Sequence, residues 1–445
     1  MTSARNRELL ALVPVAVLLT AGFAGVFSQE NEQLGNLSLV YGAYFLAICL
    51  ATHIYLRIRL PNADPYLFPL LATLTAFGLV MIYRIDETLA RDQANWFVLG
   101  LVLFALTIHF LRDYEVLERY RYTIAIGGLL VLLAPRLPGI GQQVNGAYLG
   151  VKVGPLAFQP AEFTKLAIIV FLASYLREHR EVLIVGARRV LGVTLPPLKH
   201  FGPLLVVWGA SMFMLVFIRD LGSSLMFFAA FLAVLYVATG RFSFVVIGMA
   251  MFLVGAWFFA STVPHVHERV EIWLHPYDDP EGSGYQILNS IFAQADGGLF
   301  GKGFGQALID VPGGGGPLLP AAQTDMIYAL IVNEVGLFGA VGVVLVYLLV
   351  TARGFKVALL ASDGFSKLLA TGLTAVFAIQ AFVIIGGVTR VIPLTGVTLP
   401  LISYGGSSIV ANFVLLALLL LVSDRARREA AEPAGRIAPR GPVIP

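Results

Sequence analysis

Apolar residues in this chain come in long unbroken runs. They do not show the three-to-four spacing of a surface helix or the alternation of a half-buried strand. A bilayer's hydrocarbon core is about 30 Å thick and takes about 20 apolar residues of helix to cross. Runs that meet or approach this length fall near residues 9–28, 37–57, 65–83, 94–111, 120–135, 161–176, 202–218, 221–239, 243–262, 324–352, 367–389 and 402–422. The pattern predicts an all-α, polytopic integral membrane protein with about twelve transmembrane helices. The seventh and eighth runs are separated by little more than Arg219-Asp220, so their boundary is the narrowest.

Composition agrees with this reading. Of the 445 residues, 58% are hydrophobic and only 13% charged, against about 25% charged in a soluble domain. Mean hydropathy is +0.82. A water-soluble globule could not hide that much apolar surface. Arg5 and Arg7 precede an apolar stretch from Leu9 to Phe27. Cleavable leaders usually have an apolar core of roughly 7–15 residues, so a retained first span is expected. The single cysteine, Cys49, lies within an apolar run. It excludes a disulfide framework and a cysteine metal site within one chain and reads as a small apolar core residue.

The net charge of +3 matters less than where the basic residues lie, because Lys and Arg in short loops set membrane orientation. With the N-terminus inside, the inner loops would carry Arg57 and Arg59; Arg112, Arg119 and Arg121; Arg177, Arg180, Arg188, Arg189 and Lys199; Arg241; then Arg353 and Lys356. The tail would add Arg425, Arg427 and Arg428. The first outer loop holds Glu30 and Glu32 with no Lys or Arg. Both termini are therefore expected in the cytoplasm. A large extracellular loop, 263–323, is rich in charge, Pro and Gly. It contains His265, His267, Glu268, Arg269, Glu271, Asp278, Asp279, Glu281 and the run Gly313–Gly316. Its apolar stretches, Ile272–Leu274 and Tyr285–Phe292, predict short amphipathic or re-entrant helices. The tail, 425–445, is Arg-, Ala- and Pro-rich and is expected to be disordered.

Four polar clusters stand beside the apolar runs, and ionisable groups at membrane depth are candidates for function. Gln159-Pro160-Ala161-Glu162-Phe163-Thr164-Lys165 opens a helix, and Glu162 and Lys165 share a face. Either they form an internal ion pair at the interface, or they face a polar cavity. Arg219-Asp220-Leu221-Gly222 is either a bare turn or a second polar site. Ala322-Gln323-Thr324-Asp325 starts the helix after the long loop, with Asn333 and Glu334 deeper on it. A carboxylate there could simply favour the first helical turn. Pro400 to Ser408 opens the last helix. Gly405-Gly406-Ser407-Ser408 can bring backbone N–H groups close to a phosphate, or serve helix packing through small residues. On the expected topology all four clusters lie on the outer side, a convergence that helix packing alone would not require.

Read in order, several segments resemble the SEDS family, the FtsW, RodA and SpoVE group. The matching stretches are Asn145-Gly146-Ala147, Gln159 to Lys165, Arg219-Asp220-Leu221-Gly222, Gly284-Tyr285-Gln286, Gly297 to Gly305, Thr324-Asp325 with Glu334, and Pro393 to Ser408. The resemblance begins near Phe68 and implies a ten-helix core. Residues 1–62 are then two extra N-terminal helices and 63–424 the core. Where the family usually places two basic residues and a tryptophan after Asn-Gly-Ala, this chain has Tyr148, Leu149 and Gly150, with Lys152 nearby. Many members have an asparagine and a glycine where Ile384 and Arg390 stand. The extra helices and Gly386 to Arg390 look most like RodA-like members of actinobacterial type.

The resemblance implies a lipid II-polymerising peptidoglycan glycosyltransferase of the bacterial inner membrane, acting in elongation or division. Asp325 matches the family's catalytic aspartate and is expected to be the general base. Glu162, Lys165, Arg219, Asp220, Lys302, Glu334 and Ser407 are expected to line the substrate site. Lys165 and Arg219 would suit pyrophosphate, and Glu162 and Asp220 would orient them or hold a divalent cation (Mg or Mn), for which no ligand set is legible. The implied partner is a class B penicillin-binding protein; membrane lipid is the solvent, and no nucleic-acid partner is expected. The competing readings are a lipid II flippase, a secondary transporter and a non-catalytic scaffold. The transporter would need inverted repeats, and no matching halves are found.

Overall fold

The computed structural model describes residues 4–29, 36–144, 147–154, 156–185, 188–190, 193–195, 209, 220–310 and 317–431. Two N-terminal helices, α1 (Ala4–Gln29) and α2 (Asn36–Arg59), precede α3 (Leu67–Ile85) and α4 (Glu87–Phe110). Next come α5 (Val116–Arg119), α6 (Arg121–Leu133) and α7 (Pro160–Val185), followed by α8 (Leu221–Thr239) and α9 (Phe242–Thr262). The long loop carries α10 (Pro264–Leu274) and α11 (Tyr285–Gly297). The chain then runs through α12 (Ile327–Leu360), α13 (Gly364–Val388) and α14 (Gly406–Ala431).

Among the described residues, nine helices are long and apolar enough to cross a membrane. Of the twelve expected spans, 202–218 falls, apart from residue 209, outside the described residues. Helix α6 has only 13 residues. Helix α7 has 26 but carries Glu162 and Lys165 at one end and Arg177 to Glu181 at the other. The long loop folds as expected into two short helices. Two small antiparallel sheets were not anticipated: β1 (Gly141–Val144), β2 (Ala147–Val153) and β3 (Leu156–Phe158) form one, and β4 (Arg188–Val190) with β5 (Val193–Leu195) the other.

Burial identifies the centre of the bundle. In α14, 89% of the span is buried and in α13, 78%, whereas in α9 only 6% is. The first two are therefore surrounded by protein and α9 faces the surrounding solvent, which for an all-apolar helix is lipid. Along α14, α4 is the main neighbour; α13 packs against α7, α8 and α12.

One end of the bundle is tied by charge. Glu8 accepts from Arg5 at 2.5 Å and contacts His53 at 2.7 Å. Asp64, in the α2–α3 turn, pairs with Arg427 and, at 3.6 Å, with Arg353. The Asn62 N–H donates to Asp424 at 2.8 Å. These contacts bring the start of α1, the end of α2, α12 and the end of α14 together at the end expected to be cytoplasmic. They also correct the expected tail boundary. Helix α14 continues to Ala431 instead of fraying after Asp424, because Arg425 pairs with Glu429 one turn on (2.9 Å) and with Glu115 (2.8 Å). Such contacts convert a charged, apolar-poor stretch into an anchored last turn.

Candidate functional site

The opposite end of the bundle gathers the starts of α7, α8, α12 and α14 with the end of α13. Between α13 and α14 the chain runs outside any helix, which at membrane depth demands that its polar groups be satisfied by protein. Side chains do this. The Ser403 hydroxyl accepts from the Leu399 N–H (2.9 Å) and donates to the Thr324 carbonyl (2.7 Å). The Tyr404 N–H donates to the Gln323 carbonyl at 2.8 Å. From α4, Gln93 donates to the Ser403 carbonyl (3.0 Å) and accepts from the Gly405 N–H (3.2 Å). The Gln323–Asp325 segment is thus laced to the 399–405 segment.

Ser407 is buried, and its hydroxyl accepts from the Gln159 N–H at 2.8 Å. It fastens the start of α14 to the start of α7. Its neighbour Gly405 spends its N–H on Gln93, so this pair acts as an anchor for the loop.

Glu162 and Lys165 do form the intrahelical pair, at 2.5 Å. They also reach across to α13: Lys165 donates to Gln380 Oε1 at 2.8 Å, and Gln380 Nε2 donates to Glu162 Oε1 (3.2 Å) and to the Thr398 carbonyl (3.1 Å). Lys165 is wholly buried. Both readings of this cluster therefore hold in part, since the ion pair is internal and it also holds the 393–405 segment through Thr398.

Asp220 caps α8. Its two carboxylate oxygens accept from the Ser223 N–H (3.0 Å) and the Ser223 hydroxyl (2.6 Å). Burial pushes its carboxyl above the usual range against those two hydrogen bonds. Gly222 is required by close approach, because a Cβ there would run into the Val397 side chain and lie 3.1 Å from Thr395.

Asp325 is half-buried, two residues before α12. Removal from water, opposed in part by the nearby Arg269 guanidinium, leaves its carboxyl raised to about 6. Arg269, on α10, feels both Asp325 and Asp220, and burial lowers its own pKa. It donates to the Leu394 carbonyl at 2.7 Å. Its helix is clamped onto the end of α13 by Trp273 Nε1 donating to the Arg390 carbonyl (3.0 Å) and by Arg390 donating to the Trp273 carbonyl (2.8 Å). Gly396, with φ +73°, lies between the two charged groups. A Cβ there would be 3.5 Å from an Arg269 nitrogen and 3.8 Å from Asp325 Oδ2.

Lys302 and Glu334 belong to a second arrangement. The Gly297–Gly305 segment plugs a break in α12 at Gly336 (φ +69°). There the Lys302 and Gly303 N–H groups donate to the Asn333 and Glu334 carbonyls (2.9 Å each), and the Leu337 N–H to the Gly298 carbonyl (3.0 Å). The Glu334 carboxylate pairs with Arg84 of α3 at 3.1 Å, while the Lys302 side chain is half-exposed on Asp296 at 2.8 Å. These two expected substrate contacts are held by partners of their own. Arg219 and the Asn145-Gly146 pair fall outside the described residues, and Lys152 is exposed.

The described residues do not by themselves make up a divalent-cation site. Among the described residues no three His, Cys, Asp or Glu side chains converge. The oxygens of Glu162 and Asp220 are already engaged. Sequence reasoning missed Arg269, Gln380 and Arg84. Gln380 was detectable as a polar residue deep in an apolar run. Arg269 stands among equally charged loop neighbours, and only the three-dimensional closure by 394–396 singles it out.

The cell cycle protein model of FtsW, RodA and SpoVE matches residues 65–428. Peptidoglycan glycosyltransferase RodA of Mycobacterium tuberculosis is 40% identical over 435 residues, covering 95% of this chain and 91% of that protein. Stage V sporulation protein E of Bacillus subtilis is 32% identical, covering 80% and 95%. Among solved structures, a peptidoglycan synthase complex described as coordinating polymerization and crosslinking matches with a TM-score of 0.65 and 28% identity, over 82% of this chain and 98% of its own. The rod shape determining protein RodA of Thermus thermophilus matches with a TM-score of 0.58 and 25% identity, over 83% and 98%.

Proposed function

Since the chain belongs to the FtsW, RodA and SpoVE family of cell cycle proteins, we propose that it is a multi-pass membrane peptidoglycan glycosyltransferase that polymerises lipid II with Asp325 as general base. In the reaction, a sugar hydroxyl of one lipid II attacks the anomeric carbon of a glycan linked to undecaprenyl pyrophosphate. The new C–O bond forms, the bond to pyrophosphate breaks, and the hydroxyl proton passes to Asp325. A base works best when its pKa is near the working pH. The carboxyl of Asp325 is lifted toward that range by desolvation and kept ionisable by Arg269.

The observation that carries the reading is this half-buried carboxylate facing a half-buried arginine across a glycine. Arg269 is the described cation best suited to the negative charge that collects on the leaving pyrophosphate. Arg219, adjacent to Asp220 in the chain, is proposed as a second. Lys165 acts through Glu162 and Gln380, holding the 393–405 segment, and Ser407 holds the same segment to α7. A divalent cation, if bound with the substrate, would add positive charge beside the leaving pyrophosphate. Lys302 and Glu334 are proposed to shape the site through the plug in α12.

Both termini are proposed to be cytoplasmic, which the positive-inside rule favours and which puts Asp325 on the outer side. A class B penicillin-binding protein is the proposed partner, supported by the likeness to a complex that coordinates polymerization and crosslinking. A flippase would need polar groups across the whole membrane, yet the deep carboxylate Glu334 is already neutralised by Arg84. The test is polymerisation of lipid II by detergent-purified protein without vesicles. Glycan chains are expected. Their absence, with and without the partner, would reject the enzyme reading in favour of transport or scaffolding.

A further inference from the structure

At the end of the bundle opposite Asp325, the last turns of α7 and α8 and the first turn of α13 leave a cavity of about 530 Å³. Arg177, Arg180 and Lys367 supply its cationic lining, Glu178 and Glu181 are the acidic residues on the rim, and Val237 and Leu368 form an apolar wall. Arg177 is committed to Glu118, and Glu178, also at the rim, to Arg121. Among the described residues Arg180 and Lys367 have no ion-pair partner. They approach the cavity from two different helices. Two cations with no ion-pair partner among the described residues, on a half-polar and half-apolar wall and beside a volume typical of ligand sites, ask for an anion with a hydrocarbon portion.

We infer that this cavity binds the phosphate group of an anionic membrane lipid. Phosphate is the anion that two separate cations can share, and basic pockets between helix ends on the cytoplasmic side are suited to lipid headgroups. The apolar wall favours a lipid over a soluble phosphate, because Val237 and Leu368 can receive the first carbons of its chains. The three helices that close the cavity are the same three whose other ends carry Glu162 and Lys165, the Asp220 cap, and Gln380. An anion drawing Arg180 of α7 toward Lys367 of α13 would fix the spacing of those helices, and with it the Lys165–Gln380 bond. This coupling to catalysis rests on the proposed function, whereas the binding site itself does not.

The experiment uses the full-length protein in nanodiscs of phosphatidylcholine with or without phosphatidylglycerol, and in detergent with inorganic phosphate. Retained lipid is read by native mass spectrometry, and melting temperature and lipid II polymerisation are measured alongside. An Arg180→Ser/Lys367→Ser variant is compared with an Arg57→Ser/Arg59→Ser variant, which loses equal charge at the end of α2. Wild type is expected to retain phosphatidylglycerol, melt higher with it and polymerise faster. The Arg180/Lys367 variant should bind it about 30-fold more weakly, with its rate in phosphatidylcholine unchanged. A phosphate-induced melting shift that the same variant abolishes would support the site with a soluble anion as its source. Equal retention by wild type and the Arg180/Lys367 variant, or equal loss in both variants, would overturn it. Lipid retention with no polymerisation by any form would leave the site standing and remove the enzymatic reading.

Discussion

Lys165→Met removes an ammonium group from a site where Lys165 is fully buried and Glu162 is 3% exposed. Glu162 would be left with the Gln380 amide at 3.2 Å as its polar contact. Breaking a buried ion pair from one side costs about 3–5 kcal/mol, mostly because the remaining charge is stranded. Glu162→Gln combined with Lys165→Met strands no charge, and its amide can still bond to Gln380, so the double variant should recover much of the loss. The coupling between the two positions should be about 1–3 kcal/mol. Thermal melting of purified protein in one detergent reads stability, and lipid II polymerisation reads the consequence for the site. The single variant should melt lowest of the set. Neither variant should regain full turnover, because Gln380 also holds the Thr398 carbonyl and thus the segment bearing Gly396. If Lys165→Met melted no lower than the double variant, the pair would not be a coupled buried unit and its role in holding that segment would fall.

Three further outcomes follow from the same geometry. The acid limb of the polymerisation rate should lie near pH 6, since Asp325 must be ionised to accept a proton and its carboxyl is raised to about 6. Arg269→Ala should move that limb upward, because Arg269 is the group that lowers this pKa, and a limb that stayed put would separate the two residues. Gly396→Ala places a methyl between Arg269 and Asp325 at φ +73°; the backbone cost is about 1–2 kcal/mol, and turnover should fall further than the melting temperature suggests. Arg84→Met strands the buried Glu334 carboxylate, so a stability loss of about 3–5 kcal/mol is expected by thermal melting. Activity should drop in step with it, whereas loss of activity at unchanged stability would make Glu334 a substrate contact.

Helix identity was legible because unbroken apolar runs have one stable form in lipid. The pairing of those helices was less so. That Asp64 would meet Arg427, or Arg84 meet Glu334, depends on residues hundreds of positions apart. Glu162 and Lys165 were visible as a pair from their spacing, but Gln380, which makes them a bridge to α13, was hidden in a run whose hydropathy it barely lowers. Lys302 was drawn to the site by the company of its glycines. The structure shows that those glycines serve a backbone plug, where Gly301 packs directly on the Glu334 carbonyl. The extended end of α14 was missed because composition reads Arg425–Arg428 as solvated, while Glu429 and Glu115 complete it.

Replacing Asp325 with Asn separates chemistry from folding. Burial holds the folded carboxyl at about 6, above its ordinary 3.8. The protonated form therefore stabilises the fold below pH 4, and that stabilisation is lost as pH rises through 6. At neutral pH the ionised group is a burden of about 3 kcal/mol at most, which the neutral amide lifts. Purified Asp325→Asn protein should therefore melt at or above the wild-type temperature at pH 7.5, while its rate of lipid II polymerisation falls about 10²- to 10⁴-fold. A variant that polymerised at the wild-type rate would contradict the assignment of Asp325 as the base.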